Sequence, residues 1–192
     1  MADTLLDRRD FVAALLTERA DLIVVSGLGS ATYDVAAAGD HALNVYQWGG
    51  MGGTAMIGLG LALAQPDRRV VVITGDGEML MGLGSLATIG VRQPKNLSIV
   101  VLDNERYGET GMQASHTSAG VDLVGIARSC GFTEARLVSN IADAADVRDM
   151  LHRAAGPLFI QAKIRRDDVP RVLPTRDGHE MRLRLAKELS NS

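Results

Sequence analysis

The sequence predicts an α/β fold: a doubly wound, mainly parallel sheet with helices on both of its faces. Short apolar, β-branched stretches alternate with helical patterns along the chain, which is typical of successive βαβ units. The stretch 70–74 is apolar up to its last residue, as expected of a strand that helices cover on both faces. With 192 residues, the chain has the size of one domain. We therefore expect a single domain over 1–192, with a charged C-terminal extension from about 165.

Composition narrows the class of protein. Hydrophobic residues make up 46% and charged residues 22% of the chain, and the net charge is -3, so neither nucleic acid nor an anionic membrane is an expected partner. Cys130 is the only cysteine, which rules out an intrachain disulfide and fits a reducing cytoplasm. The N-terminus is charged where a signal peptide would be apolar, and no apolar run reaches membrane-spanning length. These features predict a cytoplasmic domain.

Hydrophobic periodicity and turn residues define the elements before residue 70. Leu5, Phe11 and Leu15 fall on one face of a helical pattern, which indicates an amphipathic helix. Pro66 ends the last helix of this part because proline disfavours the helical conformation of the residue before it. The predicted elements are a helix over 4–20, a strand over 22–26, a small helix to 38 capped by Ser30 or Thr32, a strand over 44–46 and a helix over 54–64.

The later elements follow the same alternation. Gln93-Pro94 interrupts one helical pattern, and Gly131 is suited to terminate another because glycine adopts the left-handed conformation at helix ends. A polar, glycine-containing loop is expected from 107 to 120. The predicted elements are strands over 70–74, 97–102, 132–135 and 157–164, and helices over 79–91, 121–130, 141–155 and 179–189.

The central motif is Gly75-Asp76-Gly77, which follows the strand over 70–74. Asn104 follows the next strand, one crossover helix later. Because ligands of open α/β sheets bind at the carboxyl ends of the strands, Asp76 and Asn104 are expected to meet there. A carboxylate and an amide oxygen suit Mg²⁺ that also binds substrate phosphates, and the amides of the following helix suit a diphosphate. A plain βα turn with a capping aspartate explains the glycine motif alone equally well, and Asn104 favours the site.

These two motifs at this spacing resemble those of thiamine diphosphate enzymes. The resemblance implies the fold of their cofactor-diphosphate (PP) domain and a site for thiamine diphosphate with Mg²⁺. It implies that Asp76, Asn104 and the backbone carbonyl of Arg106 bind the metal, and that Gly75, Gly77 and Tyr107 lie beside the cofactor.

The glycine-rich turn Trp48-Gly49-Gly50-Met51-Gly52 resembles the loop of the same enzymes that holds the bent cofactor. The resemblance implies that Met51 is the apolar wedge and that the Gly49 carbonyl accepts a hydrogen bond from the aminopyrimidine. Glu78 departs from the family pattern, in which a serine often contacts the diphosphate. An anion there is unfavourable, so Glu78 is expected either to turn outward or to belong to a different local network.

Within this family, the segments VLDN..YG.TG.Q.SHT and VDLVGIAR.CGF are most similar to the β subunits of sulfopyruvate decarboxylases and to phosphonopyruvate decarboxylases. The resemblance implies a carboxy-lyase that decarboxylates a 2-oxo acid with a second anion at C3. The activating glutamate of the family lies in a separate pyrimidine-binding (Pyr) domain, so we expect a Pyr-domain partner subunit to supply it. The chain is then part of a hetero-oligomer, with a homo-oligomer possible in isolation.

The loop from Tyr107 to Thr117 is the expected substrate side of the site. Gln113, His116 and Thr117 can donate to a sulfonate, a phosphonate or an intermediate, and His116 can also carry a proton near neutral pH, so Gln113 and His116 are the candidate catalytic residues. An exposed polar loop is the simpler interpretation of each. The basic cluster of Lys163, Arg165 and Arg166 is either an anion-attracting patch or a solvated strand end.

Three other functions stay open at this point. A dinucleotide-binding oxidoreductase would use Gly27-Leu28-Gly29, but Thr32 replaces the third glycine of that fingerprint. A non-catalytic PP-domain homologue that stabilises a partner, or a carboligase subunit, would share the cofactor motifs.

Overall fold

The computed structural model describes residues 5–190, and its core is one six-stranded sheet in which every neighbouring pair is parallel. A separate antiparallel hairpin follows the fourth strand. The strands are β1 (Ile23–Ser26), β2 (Asn44–Tyr46), β3 (Val70–Gly75), β4 (Leu97–Asp103), the hairpin β5 (Arg106–Tyr107) and β6 (Gln113–Ala114), β7 (Glu134–Val138) and β8 (Leu158–Lys163).

Eight α-helices flank the sheet within the described residues. They are α1 (Arg8–Leu16), α2 (Ser30–Ala37), α3 (Thr54–Ala64), α4 (Asp76–Met81), α5 (Ser85–Arg92), α6 (Leu123–Ser129), α7 (Ala144–Arg153) and α8 (Gly178–Ser190). None of the helices in the described residues is both long and apolar enough to cross a membrane. The predicted doubly wound α/β fold is confirmed.

Two apolar cores lie on opposite faces of the sheet, as the uninterrupted apolar strands predict. On β3, Val71 and Ile73 face the core shared with α1, α2 and α7, whereas Val70 and Val72 face the core shared with α3, α5 and α6. Successive side chains of a strand point to opposite faces, so a strand covered on both sides needs apolar residues at every position.

The strand order β2-β1-β3-β4-β8-β7 determines where a ligand can bind. The chain runs outward from β1 to β2 on one side and from β3 onward on the other. The order therefore reverses between β1 and β3, and the loops after these strands separate to leave a crevice at their carboxyl ends. The turn after β1 and the Gly75-Asp76-Gly77 motif after β3 both lie at this position.

Several predicted elements differ from the structure. The helix predicted over 4–20 begins at Arg8, after the N-cap Asp7, and ends at Leu16, while residue 4 lies outside the described residues. Neither Ser30 nor Thr32 caps α2, which starts after Gly29 without a side-chain cap. Thr32 instead donates its hydroxyl to the Gly27 carbonyl at 2.8 Å.

The helix predicted over 79–91 is two helices, α4 and α5, with a break at residues 82–84. The strand predicted over 132–135 lies at β7, and the helix predicted over 141–155 starts with a 3-10 turn before α7. The polar loop predicted over 107–120 contains β6 and two 3-10 turns. The other predicted elements are confirmed to within two residues at each end. They are the small helix predicted up to residue 38 and the elements predicted over 22–26, 44–46, 54–64, 70–74, 97–102, 121–130, 157–164 and 179–189.

The C-terminal extension packs back onto the β2 side of the sheet. Residues 165–177 contain neither helix nor strand, and α8 follows them. The indole of Trp48 donates to the Thr175 carbonyl at 2.9 Å, and Arg184 forms an ion pair with Asp40 at 2.7 Å. These contacts join the extension to the segment that leads into the glycine-rich turn.

Candidate functional site

A cleft lies at the carboxyl ends of β1 and β3, where the strand order reverses. Its walls are the turn after β1, the Gly75-Asp76-Gly77 motif, the turn after β4 and Met51. Both α2 and α4 begin at this cleft without a side-chain N-cap, and the amides of a first helical turn, which have no partner within the helix, suit an anion. The predicted site residues that line the cleft are Met51, Gly75, Asp76, Gly77, Asn104, Arg106 and Tyr107.

Asp76 is buried at the bottom of this cleft, with 1% of its surface exposed. Its Oδ2 accepts hydrogen bonds from the hydroxyls of Ser115 and Thr117, the latter at 3.2 Å. Within residues 5–190 no basic side chain pairs with Asp76. Burial raises the pKa of the Asp76 carboxyl to about 6, the Ser115 hydroxyl opposes the rise, and the charge of Asp103 adds to it. Neutral donors thus satisfy this carboxylate only in part, and a bound cation would complete its environment.

Asn104 and Arg106 form the turn that faces Asp76 across the cleft. The Asn104 Oδ1 accepts from the Arg106 amide at 2.9 Å, and Glu105 between them has a positive φ of 62°. A carboxylate, an amide oxygen and a backbone carbonyl are oxygen donors of the kind that Mg²⁺ prefers. Within the described residues, no group of three or more His, Cys, Asp or Glu side chains could hold a metal ion by itself. The set at this cleft also lacks such a group. The donors present fit a metal that a cofactor also binds.

The glycine-rich turn over 48–52, called the Met51 loop below, is held in shape by its own backbone and by Gln47. The Gln47 side-chain amide donates to the carbonyls of Gly49 and Gly50, the latter at 2.7 Å. Gly52 has a φ of 96° and packs against Gly82, where an added Cβ would lie 2.1 Å from the Gly52 oxygen. This close approach brings the end of α4 against the loop. A carbonyl oxygen has two lone pairs, so the Gly49 carbonyl can accept a second donor from a ligand.

Glu78 belongs to a different local network from the one a serine would form with a diphosphate. It is buried, with 3% of its surface exposed. Its carboxylate turns toward the loops after β1 and before α3, and accepts from the Leu28 amide at 3.1 Å and from the Thr74 hydroxyl at 2.8 Å. The sequence left two alternatives for Glu78, to turn outward or to belong to a different local network. The second alternative therefore applies.

Tyr107 closes one side of the Gly75-Asp76-Gly77 motif. Its ring packs on Gly77, where an added Cβ would lie 2.5 Å from the ring, so Gly77 cannot carry a side chain with the ring in this position. The Tyr107 hydroxyl lies 3.3 Å from the His116 Nδ1. His116 and Gln113 are exposed and are not among the residues that line the cleft. Gln113 bonds Thr110 instead, and both catalytic assignments stay predictions.

The structure adds Ser115, which the sequence did not indicate, and gives Thr117 partners other than the predicted substrate anion. Ser115 and Thr117 point inward from the predicted substrate loop, and the single proton of the Thr117 hydroxyl is shared between Asp103 at 2.8 Å and Asp76 at 3.2 Å. This hydroxyl is therefore bonded to the buried acids, and its donation to a substrate anion stays a prediction. The segment Ser115-His116-Thr117 carried no sequence signal for a contact with Asp76, because only the fold brings it there.

Arg8 is the second addition, and it reaches the cleft from α1. It is buried, its Nε bonds Asp34 at 2.7 Å and its Nη2 donates to the Ser30 carbonyl at 3.0 Å. Burial raises the pKa of Asp34, and the guanidinium of Arg8 opposes that rise. The helical pattern of α1 marked Arg8 as polar and gave no reason to place it inside.

The basic cluster at the end of β8 is paired with acids. Lys163 lies 2.8 Å from Asp103 and 2.9 Å from Glu105, and Arg166 also pairs with Glu105. Arg165 pairs with Asp7 and with Asp167. These ion pairs neutralise the positive charge that would attract an anion. A solvated strand end is therefore a better interpretation of this cluster than an anion-attracting patch.

Comparisons with known proteins agree with this geometry. The family described as "Thiamine pyrophosphate enzyme, C-terminal TPP binding domain" matches residues 26–162. The sulfopyruvate decarboxylase subunit beta of Methanocaldococcus jannaschii is 47% identical over 109 residues, which cover 57% of this chain and 57% of that protein. The subunit beta of Methanothermobacter thermautotrophicus is 34% identical, with 96% of each chain covered.

Two further comparisons extend the set. The phosphonopyruvate decarboxylase of Streptomyces viridochromogenes is 39% identical over 76% of this chain, which spans only 36% of that protein. A solved thiamine diphosphate-dependent 4-hydroxybenzoylformate decarboxylase of Rhodococcus jostii RHA1 superposes with a TM-score of 0.72 at 22% identity, over 88% of this chain and 34% of that one. The structural likeness shows the fold.

Proposed function

The chain belongs to the thiamine pyrophosphate enzymes through their C-terminal cofactor-binding domain, and from this premise we propose that it is the β subunit of a sulfopyruvate decarboxylase. The reaction releases CO₂ from a 3-sulfonated 2-oxo acid and leaves the aldehyde. The cofactors are thiamine diphosphate and Mg²⁺, and the whole chain is one PP domain. Two relatives of this name support the proposal, one of them over nearly its full length. A phosphonopyruvate decarboxylase is the alternative, supported by a relative that is longer than this chain.

The observation that carries the proposal is the environment of Asp76. A buried carboxylate with a raised pKa, with hydroxyl donors and with no basic partner within residues 5–190, lies in one cleft with Asn104 and the turn at Arg106. Two uncapped helix N-termini open on the same cleft. A divalent cation would neutralise the carboxylate, and the helix amides would stabilise a diphosphate bound to that cation.

The residues of the chain divide the work of such a site. Asp76, Asn104 and the Arg106 carbonyl hold the metal, and Met51 and the Gly49 carbonyl orient the cofactor. The cofactor itself supplies the nucleophilic carbon and the electron sink for decarboxylation. His116, next to the Tyr107 hydroxyl, is the proposed proton donor to the product, and Gln113 a donor to the substrate anion. Both must turn toward the cleft to act.

A partner subunit supplies the activating glutamate in this proposal. The name "subunit beta" of two relatives supports a second chain. So does an apolar surface next to the Met51 loop, formed by Met56, Ile57 and Leu63 on α3 and by Met81 on α4, all of them exposed. The positions Met56, Gly60 and Leu63 lie on one face of α3. We propose that a Pyr-domain chain covers this surface, and that the complex is cytoplasmic, as the single cysteine predicts.

Calorimetric titration tests the site. Thiamine diphosphate with Mg²⁺ should bind the wild-type chain, alone or with its co-purified partner, and Asp76→Ala should abolish the Mg²⁺-dependent part of this binding while the thermal transition is retained. Undiminished affinity in that variant would refute the metal site. Titration with a nicotinamide dinucleotide serves as the matched arm, since binding there would favour an oxidoreductase.

Activity assays test the reaction. The chain should be purified with whatever Pyr-domain protein co-purifies and supplied with sulfopyruvate or with phosphonopyruvate, and CO₂ release should be measured. Turnover of sulfopyruvate alone supports the proposal, and a preference for phosphonopyruvate supports the alternative. Cofactor binding without turnover of either acid would indicate a non-catalytic homologue or a carboligase.

A further inference from the structure

Glu78 connects three separate segments of the cleft through one carboxylate. Its Oε2 accepts from the Leu28 amide at 3.1 Å, in the turn after β1, and from the Thr74 hydroxyl at 2.8 Å, near the end of β3. Its Oε1 accepts from the Thr54 hydroxyl and, at 3.4 Å, from the Thr54 amide, at the start of α3. Both carboxylate oxygens are therefore satisfied. The turn after β1 and the strand β3 provide the donors to Oε2, and α3 provides the donors to Oε1.

All four donors are neutral, and no salt bridge joins Glu78 to a basic side chain in residues 5–190. A buried anion without a counter-charge depends on its hydrogen bonds, because each donor that moves away leaves a desolvated charge. α3 also lacks a side-chain cap of its own, and Gly53 occupies its N-cap position. Glu78 takes the place of that cap from another element.

The loops are shaped around this carboxylate. An added Cβ at Gly27 would lie 2.0 Å from the Glu78 Oε2 and 2.7 Å from the Thr74 hydroxyl. The turn after β1 can therefore approach Glu78 closely only because residue 27 has no side chain. The close approach brings the Leu28 amide within reach of the carboxylate.

The hydrogen bonds continue from Glu78 to the Met51 loop. The Thr54 hydroxyl lies between two acceptors, the Glu78 Oε1 and the Gln47 Oε1, and shares its single proton between them in a three-centre hydrogen bond. The Gln47 side-chain amide donates in turn to the Gly49 and Gly50 carbonyls. One continuous path thus joins Glu78 to the carbonyl that the proposed function assigns to the aminopyrimidine.

We propose that Glu78 is a positioning residue for the cofactor: through Thr54 and Gln47 it fixes the Gly49 carbonyl and the Met51 loop relative to the metal site at Asp76. The inference rests on the proposed function for the identity of the ligand. It explains why an acid stands one residue after the Gly75-Asp76-Gly77 motif. Its charge is directed away from the diphosphate and into the loop that holds the other end of the cofactor.

The test compares two ligands in three variants of the complete chain with its partner. The ligands are thiamine diphosphate and its analogue without the 4′-amino group, each with Mg²⁺. The variants are Glu78→Gln, Gln47→Ala and the control Glu134→Gln, which changes an exposed residue at the far edge of the sheet. Wild type should favour the amino cofactor by about fivefold, the contribution of one hydrogen bond.

In Glu78→Gln and Gln47→Ala this preference should fall to about one, while Glu134→Gln keeps it. A residue needed only for stability would weaken both ligands together and leave their ratio unchanged. An unchanged ratio in Glu78→Gln overturns the inference. If that variant shows no cooperative unfolding, Gln47→Ala decides in the same way, because its side chain is only partly buried and its loss leaves no buried charge.

Hydrogen exchange separates this inference from the proposed function. Amides of residues 26–30 and 48–55 should exchange faster in Glu78→Gln than in wild type, and those of β7 should not. Failure of wild type to bind thiamine diphosphate would refute the proposed function, yet the exchange data would still test the hydrogen-bonded path. Unchanged exchange at residues 48–55 would overturn the inference even where the cofactor binds.

Discussion

At the scale of single residues, the cleft holds three buried acids in three different ways. Asp34 pairs with the guanidinium groups of Arg8 and Arg9. Glu78 has four neutral donors that satisfy both of its oxygens. Asp76 has hydroxyl donors on one oxygen, and burial raises its pKa to about 6. Of the three, Asp76 therefore gains most from a bound cation, and it is the acid that the two sequence motifs indicate.

The raised pKa of Asp76 predicts how the stability of the metal-free chain depends on pH. The carboxyl titrates near 3.8 in the unfolded chain and at about 6 in the folded one, so the folded state binds the proton more tightly. The stability that this proton gives is complete below pH 3.8 and is lost as the pH rises through about 6. Asp76→Asn should raise the free energy of unfolding by about 1–3 kcal/mol near pH 7.5 and change it little near pH 4.

Urea denaturation at both pH values, without Mg²⁺ and cofactor, measures this difference. The exposed Asp149→Asn on α7 is the control and should follow wild type at both pH values. If Asp76→Asn lowers the free energy of unfolding at neutral pH, burial does not destabilise the charged form of Asp76 as assigned here. The same variant should lose Mg²⁺-dependent cofactor binding, so stability and binding change in opposite directions.

At the scale of elements, glycines decide where helices break and where they pack. α4 and α5 are separate because Gly82 lies against the backbone of Gly52, a contact between segments thirty positions apart in the sequence. Gly82 and Gly84 are local signals of a break that the prediction of one continuous helix did not use, whereas the contact with Gly52 exists only in the fold. The ends of α3 and β3, by contrast, are set by Pro66 and by the glycine motif, and the sequence predicts both to within one residue.

The same distinction applies to the site residues. The motifs and their resemblance to a known family point to Asp76, Asn104 and Met51, and all three line the cleft. Ser115 and Arg8 could not be found in this way. Their roles depend on partners that only the folded sheet brings near, and serine or arginine on a polar face is the commonest surface pattern. Sequence reasoning therefore finds the cleft residues that we propose as ligand contacts and misses those that support them.

α3 provides a prediction that separates packing from helix propensity. Gly58 faces the sheet, and an added Cβ would lie 2.2 Å from the Val72 Cγ2, whereas a Cβ at Gly60 would meet nothing within 4 Å. Gly58→Ala should lower the free energy of unfolding by about 1–3 kcal/mol through overpacking. Gly60→Ala should raise it by about 0.5–1 kcal/mol, because alanine loses less backbone entropy in a helix.

Thermal and urea unfolding of the two variants give the comparison directly, with each serving as the other's control. Equal changes of one sign would contradict the orientation of α3. The outcome also bears on the proposed partner surface, since Gly60 lies between Met56 and Leu63 on the exposed face.

At the scale of the whole molecule, the topology provides one side of the site proposed above. The reversal of strand order between β1 and β3 creates the cleft, and the chain lines it from one side with acids, amides and Met51. The apolar face of α3 and α4 continues from the Met51 loop to the surface. An exposed apolar surface next to a ligand cleft is typical of a site that a second protein completes.

This arrangement predicts that one charge on α3 separates the two subunits without unfolding the chain. Ile57, which is 40% exposed, lies on the proposed partner surface, and Leu183, which is 50% exposed, lies on α8 and serves as the matched control. Ile57→Glu should reduce the Pyr-domain protein that co-purifies by about tenfold or more, because a charge in an apolar interface is desolvated without a partner. Leu183→Glu should leave it unchanged, and both variants should keep the wild-type thermal midpoint to within a few degrees, as usual for exposed positions. Co-purification followed by light scattering measures both quantities. Retention of the partner by Ile57→Glu at wild-type stoichiometry would mean that the second subunit approaches the Met51 loop from another side.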